Sequence, residues 1–226
     1  TRSRQVIVLP GDPDRREPLA QAAGQAVAAG QDVVVVPTFS PVQALAALAV
    51  HDPTRRSGDD AVAMAEGLLR DFAGDVLIRY GDTPLIRTET LARLCATHHS
   101  ARGSGALLTT LLENPTGYGR IIRDSAGRVT RIEEEKSATD EERRISEINA
   151  GAYCYRAHAL FSALKKLRPN SANGEYYLTD AVRVLAAHGR QIVALPAALP
   201  QEVLGVNTPE QLQVVSGIRS SLMYQQ

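Results

Sequence analysis

Short apolar runs that leave no side chain to face water constrain this chain more than any other feature. Val33-Val34-Val35-Val36 is one of them. As a strand such a run has no solvent side, so it needs cover on both faces, the condition of a parallel sheet flanked by helices. Val6 to Leu9 and Asp75 to Tyr80 share the same character. Helix signals stand between and after them. Pro18 sits in the first turn of Glu17 to Ala29, and Ser40-Pro41 precedes Val42 to Val50. Further helices are expected over Asp59 to Arg70 and from Thr88 to about His99. Strand and helix thus alternate through the first half, the pattern of a Rossmann-type sheet. Val6 to Leu9, Val33 to Val36 and Val76 to Ile78 are expected as neighbouring central parallel strands.

The second half departs from strict alternation. Ala106 to Leu112 reads as a strand, and Arg120 to Asp124 and Arg128 to Glu134 flank Ser125-Ala126-Gly127 as a hairpin. Glu147 to Tyr155 and Gln191 to Leu195 are strands, and Val203 to Val206 is short and extended. Helices are expected at Ala157 to Lys166 and Tyr176 to His188, and Thr208-Pro209 opens a last one. The expected fold class is α/β, a Rossmann-like, mixed but mostly parallel sheet with helices on both faces. A single domain is expected over the 226 residues, a length that buries a full core.

Composition narrows the function. Lys+Arg and Asp+Glu number 25 each, for a formal net charge of zero. The basic stripe of a nucleic-acid binder is not visible, so nucleic acid is not an expected partner. Apolar runs such as Ala44 to Val50 are far too short to cross a bilayer, and no signal peptide opens the sequence. A cytoplasmic location is expected. Cys95 and Cys154 lack metal-type spacing and sit in apolar segments, which reads as buried, inert thiols.

Several short segments carry chemistry. Tyr80-Gly81-Asp82-Thr83-Pro84 places a carboxylate at the carboxyl end of an apolar strand, where open α/β sheets bind ligands. A lone Asp there is more often a turn residue. Asn114-Pro115-Thr116-Gly117-Tyr118-Gly119-Arg120 sets two glycines beside a ring, and glycine lets backbone amides approach a ligand. Glu133-Glu134-Glu135-Lys136 alone would be a solvated charged face. Glu147 to Gly151 puts Asn149 on a strand, Gly174 to Asp180 opens a helix, and Gly205-Val206-Asn207-Thr208 offers a second oxygen donor.

In order and spacing these segments resemble the sugar-1-phosphate nucleotidylyltransferases, and most of all the uridylyltransferase domain of the bacterial bifunctional enzymes that make UDP-N-acetylglucosamine. The resemblance runs from about Gly74 to Leu212. It implies that Asp82 and Asn207 are magnesium ligands, a donor set suited to a hard ion that keeps most of its waters. It implies that Gly119, Glu134 and Asn149 hold the amino-sugar, with Tyr118 against that pocket and Gly81 in the adjoining turn. A sugar 1-phosphate or sugar nucleotide is then the small-molecule partner. The resemblance divides the chain into a nucleotide-side half, 1–112, and a sugar-side half, 113–226.

The pattern breaks near the start. Members of that family follow their first strand with a glycine-rich loop and a Pro-Lys pair, whose amides and cations hold the triphosphate. Here Pro10-Gly11-Asp12-Pro13-Asp14-Arg15-Arg16-Glu17 follows the strand, and the first lysine of the chain is Lys136. Arg15 and Arg16 are the nearest replacement cations and hence the candidate catalytic groups, with Asp12 and Asp14 opposing them. Asp52 to Ala61 replaces the base-reading segment, and the hexapeptide repeats of the acetyltransferase β-helix do not occur in these residues. Three readings follow. The first is a transferase with impaired or altered nucleotide use. The second is a non-catalytic relative that binds the sugar phosphate or regulates an active partner. The third is an interaction scaffold, for which the retained pair Asp82 and Asn207 has no purpose. A second copy of the chain or an active relative is the expected protein partner.

Overall fold

The computed structural model describes residues 5–10, 33–38, 72–80, 82–168, 176–206 and 208–223. In chain order the elements are β1 (Gln5–Pro10), β2 (Val33–Thr38), β3 (Asp75–Arg79), α1 (Thr88–Ala101), β4 (Gly105–Leu111), β5 (Arg120–Arg123) and β6 (Val129–Glu133). There follow α2 (Asp140–Arg143), β7 (Glu147–Arg156), α3 (Ala157–Leu164), α4 (Asp180–Ala187), β8 (Ile192–Pro196), a 3-10 turn at Pro200–Val203, and α5 (Pro209–Met223). The helices expected over 17–29, 42–50 and 59–70 lie outside the described residues.

The described strands form one mixed sheet in the order β2-β1-β3-β7-β4-β8, with β5 on β7 and β6 on β5. β1 pairs in parallel with both β2 and β3 (Ile7 opposite Val35 and Leu77), as the apolar runs predict. β2 ends the described order rather than lying centrally. A run without a solvent face specifies cover on two faces and says nothing about the number of neighbours in the sheet plane, so its central placement is corrected. β7 runs antiparallel to β3 and to β4, while β4 and β8 are parallel.

Side chains alternate between two cores, as the period of a strand requires. Val76, Ile78, Leu107, Tyr153 and Tyr155 point to the face covered by α3 and α4. Leu77, Ala106, Leu108, Ala152 and Cys154 point to the opposite face, against Leu94 and Cys95 of α1. In α1 the buried positions are Thr90, Leu94, Cys95 and His98, one stripe of a helix. A fully buried leucine such as Leu94 or Leu107 contributes about 1.5–3 kcal/mol. Both cysteines are buried and unbridged. No described helix is long and apolar enough to cross a membrane.

β7 changes partners along its length. Glu147 and Ile148 face the end of β4, Ala152 to Arg156 face β3, and the register against β4 shifts between Leu107 and Thr109. Gly151 stands at this change with φ +69, and a Cβ there would lie 2.5 Å from the Tyr80 ring. Only glycine meets both demands. Tyr80 N–H donates to Gly151 O at 2.8 Å, which fixes the strand-end turn after β3 beside β7.

A polar tie joins α1 to the sheet. His98 Nε2–H and His99 Nε2–H donate to the two oxygens of Asp75 at 3.0 and 2.7 Å. Burial alone would raise the Asp75 carboxyl, but the hydrogen bonds and charge of His98 and then His99 outweigh it and leave the pKa below its ordinary 3.8. A depressed carboxylate stabilises the fold above its unfolded pKa, and that contribution is lost as pH falls through the folded value. Asp75→Asn is therefore expected to cost on the order of 1–2 kcal/mol near neutral pH. Urea denaturation should show that cost shrinking only below pH about 4.

Candidate functional site

β3 delivers the first wall of the site. Beyond Arg79 the chain turns tightly, with Thr83 Oγ1 donating to Tyr80 O at 3.1 Å and the Arg79 guanidinium donating to Thr83 O. Asp82 rides on this turn. Its side chain reaches solvent, yet the surrounding protein desolvates it enough to raise its carboxyl above the ordinary range, against the opposing pull of its own backbone N–H and of Arg79. Its carbonyl accepts from Val206 N–H at 2.8 Å, so the strip after the 3-10 turn runs beside it.

The second wall is the glycine loop between β4 and β5. Asn114 Oδ1 accepts from Thr116 N–H at 3.2 Å, and Gly117 has φ +88. Glu135 Oε2 collects Gly117 N–H at 3.3 Å and Arg120 Nη2 at 2.6 Å. Arg120 is 1% exposed and also donates to Tyr118 O and, at 3.4 Å, to Arg143 O at the end of α2. This buried guanidinium thus sets the loop against the hairpin and α2. The loop closes onto β7 through Asn149 N–H donating to Gly119 O at 2.8 Å. A Cβ on Gly119 would come within 2.8 Å of Ile132, so the backbone passes directly under the Glu134 carboxylate.

The floor comes from β7 and α4. Asn149 Nδ2–H donates to Tyr153 Oη at 2.6 Å, and Asn149 Oδ1 accepts from Gly151 N–H at 3.2 Å. An amide side chain has two donors and two acceptor positions, so one of each is left for a ligand. Tyr153 O–H donates onward to Tyr80 Oη at 3.2 Å. Burial, and next the adjacent Tyr80, hold the Tyr153 phenol far above its usual pKa, so it stays protonated. Thr179 O–H donates to Glu134 Oε1 at 2.8 Å. Burial raises the Glu134 carboxyl; the Thr179 bond opposes this, and the charges of Asp180 and Glu133 add to it.

A cavity of about 190 Å³ lies between these walls, and Tyr118, Gly119, Glu134, Asn149 and Asp82 all line it. The sequence positions these residues far apart, and the fold brings them together. Thr83, Tyr80 and Gly205 line it too, and their residue types alone do not mark them as ligand contacts. Thr179 belongs to the Gly174-to-Asp180 segment, but nothing in its residue type points to Glu134. Arg15, Arg16, Gly81 and Asn207 lie outside the described residues. Among the described residues no group of three or more His, Cys, Asp or Glu could hold a metal ion. Asp82 alone gives one hard oxygen at the rim, which fits an ion bound by one or two protein oxygens together with substrate phosphates. A larger cavity, about 630 Å³, shares Glu134 and lies toward α4 among Glu133, Asp180, Lys166 and Arg183. Its charges are mixed and no donor set converges there.

Comparisons with known proteins bear on this geometry. A model of the nucleotidyl transferase family matches residues 43–198. Residues 1–82 also match a model of the FakA-like C-terminal region of fatty acid kinases, across the stretch in which the phosphate loop is missing. The bifunctional protein GlmU of Geobacter sulfurreducens is 48% identical over 165 residues, 73% of this chain and 34% of that protein. GlmU of Geobacter metallireducens is 51% identical over 152 residues, 67% of this chain and 32% of the relative. GlmU of Methylococcus capsulatus is 45% identical over 188 residues, 80% and 40% of the two chains. The chain thus spans about a third of the length of the curated relatives it matches. A solved structure of UDP-glucose pyrophosphorylase complexed with UDP-glucose shares the fold, with a TM-score of 0.61 at 12% identity, covering 97% of this chain and 99% of the other. With a family model matching more than half its length, the chain belongs to the nucleotidyl transferase family.

Proposed function

We propose that the cavity binds an amino-sugar 1-phosphate or its nucleotide conjugate, of the N-acetylglucosamine type, and that the chain is a sugar-1-phosphate nucleotidylyltransferase with impaired nucleotide use. The observation that carries this reading is the convergence of Glu134, Asn149, Gly119 and Tyr118 on one cavity. The Glu134 carboxylate accepts from sugar hydroxyls, and Asn149 keeps one donor and one acceptor free for an acetamido or hydroxyl group. Gly119 admits the ring close to the backbone. In the reaction a phosphate oxygen of the sugar 1-phosphate attacks the nucleotide α-phosphorus, a new P–O bond forms, and the bond to pyrophosphate breaks. Asp82, with Asn207 following Val206, would hold a magnesium ion. Such an ion neutralises charge shared by the two phosphates when bound.

The nucleotide side is where activity is lost. Two anions come into line only against fixed positive groups and aimed amides. The glycine-rich loop and its lysine are missing from 1–112, and Arg15 and Arg16 stand beside Asp12 and Asp14. That same stretch carries the second family likeness. A second copy or an active relative in the cytoplasm would supply the missing cations in trans. The binding-only reading keeps the same cavity and differs solely in the absence of turnover.

Three outcomes test this. UDP-N-acetylglucosamine at millimolar concentration should raise the melting temperature by several degrees, since it binds only the native state. Glu134→Ala and Asn149→Ala should abolish most of that shift; no shift in the wild-type protein would refute the sugar site. Calorimetric affinity should fall as pH drops through the raised pKa of Glu134, beginning above its ordinary 4.5, because the carboxylate is the accepting form. Glu134→Gln should flatten that profile. Pyrophosphate release from UTP and N-acetylglucosamine 1-phosphate should be a hundredfold or more below the common enzyme rate of about ten per second. A rate near ten would show that Arg15 or Arg16 fully replaces the loop, and alanine at each would identify which.

A further inference from the structure

The 3-10 turn Pro200–Val203 carries a buried charge that the cavity does not account for. Glu202 is 2% exposed. Its Oε1 accepts from Arg87 Nε at 3.0 Å and Nη2 at 2.7 Å, and its Oε2 accepts from the Thr90 hydroxyl. Thr90, the third residue of α1, is 1% exposed. Arg87 is the N-cap of that helix and makes no side-chain cap of its own. The carboxylate therefore sits over the first turn of α1, at the positive end of the helix dipole. A carboxylate is buried this deeply only when its oxygens are fully occupied, and the pairing adds little net stability over an apolar substitute. What it adds is geometry.

Two points fasten the same pair of segments. Glu202 binds residues 87 and 90; four residues on, Val206 N–H donates to Asp82 O at 2.8 Å. Gly205 N–H, between them, donates to Tyr118 Oη at 3.3 Å. Asp82, Thr83, Val203 and Gly205 are the cavity wall enclosed by these fastenings. We propose that Glu202 is a positioning residue, a clamp that holds the Gly205–Val206 strip against Asp82 and so sets the metal-side wall of the cavity. The consequence for metal binding rests on the proposed function; the clamp itself does not.

The test has two arms on the intact chain. Residue-resolved hydrogen exchange should show the Gly205 and Val206 amides exchanging at least tenfold faster in Glu202→Gln, with β4 and β7 amides unchanged. Thr90→Val, which removes the hydroxyl donor at constant shape, should do the same, and Thr90→Ser, which restores it, should not. Should Glu202→Gln fail to fold, the two Thr90 variants carry the comparison. In the second arm Mn²⁺ is titrated by electron paramagnetic resonance in the presence of UDP-N-acetylglucosamine. Its dissociation constant should rise about tenfold in Glu202→Gln and Thr90→Val, with metal-free sugar-nucleotide affinity unchanged. Unaltered exchange at Val206, or an equal rise in β4 and β7, overturns the clamp, as does unaltered Mn²⁺ affinity in a protein that binds it. If the wild-type chain binds no Mn²⁺ with the sugar nucleotide, the metal reading fails, and the exchange arm alone upholds or overturns the clamp.

Discussion

The change of partner within β7 is the constraint on which the site depends. A ten-residue strand cannot pair with β3 and β5 on one register while keeping a flat ladder to β4. The strain is released at Gly151, in the left-handed region, where no side chain stands between the strand and the Tyr80 ring. That kink turns Asn149 and Tyr153 toward one another and brings the turn after β3 alongside. Without it the carboxylate of Asp82 and the amide of Asn149 would belong to separate parts of the surface.

The fold is legible in the sequence where burial is two-sided. The apolar runs of β3, β4 and β7 have no reading other than covered strands, and the hairpin of β5 and β6 announces itself through Ser125-Ala126-Gly127. The misses have local causes. The pattern carries Tyr176 to Thr179 into a helix that starts at Asp180, because the turn residues there have no breaker chemistry. The capping box Thr139-x-x-Glu142 stands in the sequence, and the Glu142 carboxylate does reach Thr139 N–H at 2.8 Å, but one helical turn has no apolar periodicity to detect. Val203 to Val206 reads as extended, and its first residue instead ends a 3-10 turn.

The site is legible only through resemblance. Period and propensity report which face a residue takes, and they carry no information on which distant residues share a cavity. Glu134 among charged neighbours looks like solvated surface until Thr179 and Gly119 are seen against it. Glu202 and Arg120 are invisible for the same reason. A charged residue in a loop or on a hairpin reads as exposed, and its burial is decided by partners distant in sequence.

The chain of groups from Asn149 to Tyr80 also has a direction. Gly151 N–H can only donate, so Oδ1 must face it and the amide nitrogen must face Tyr153; the Tyr153 proton must then go to Tyr80. Turning the amide over would set nitrogen against N–H and leave two lone-pair groups opposed. The side chain is thereby locked in one sense, and the cavity is chiral at the level of single protons. Two epimers that exchange a hydroxyl between the faces of a ring would meet a donor in one case and an acceptor in the other, with no rotation of Asn149 available to accommodate the second.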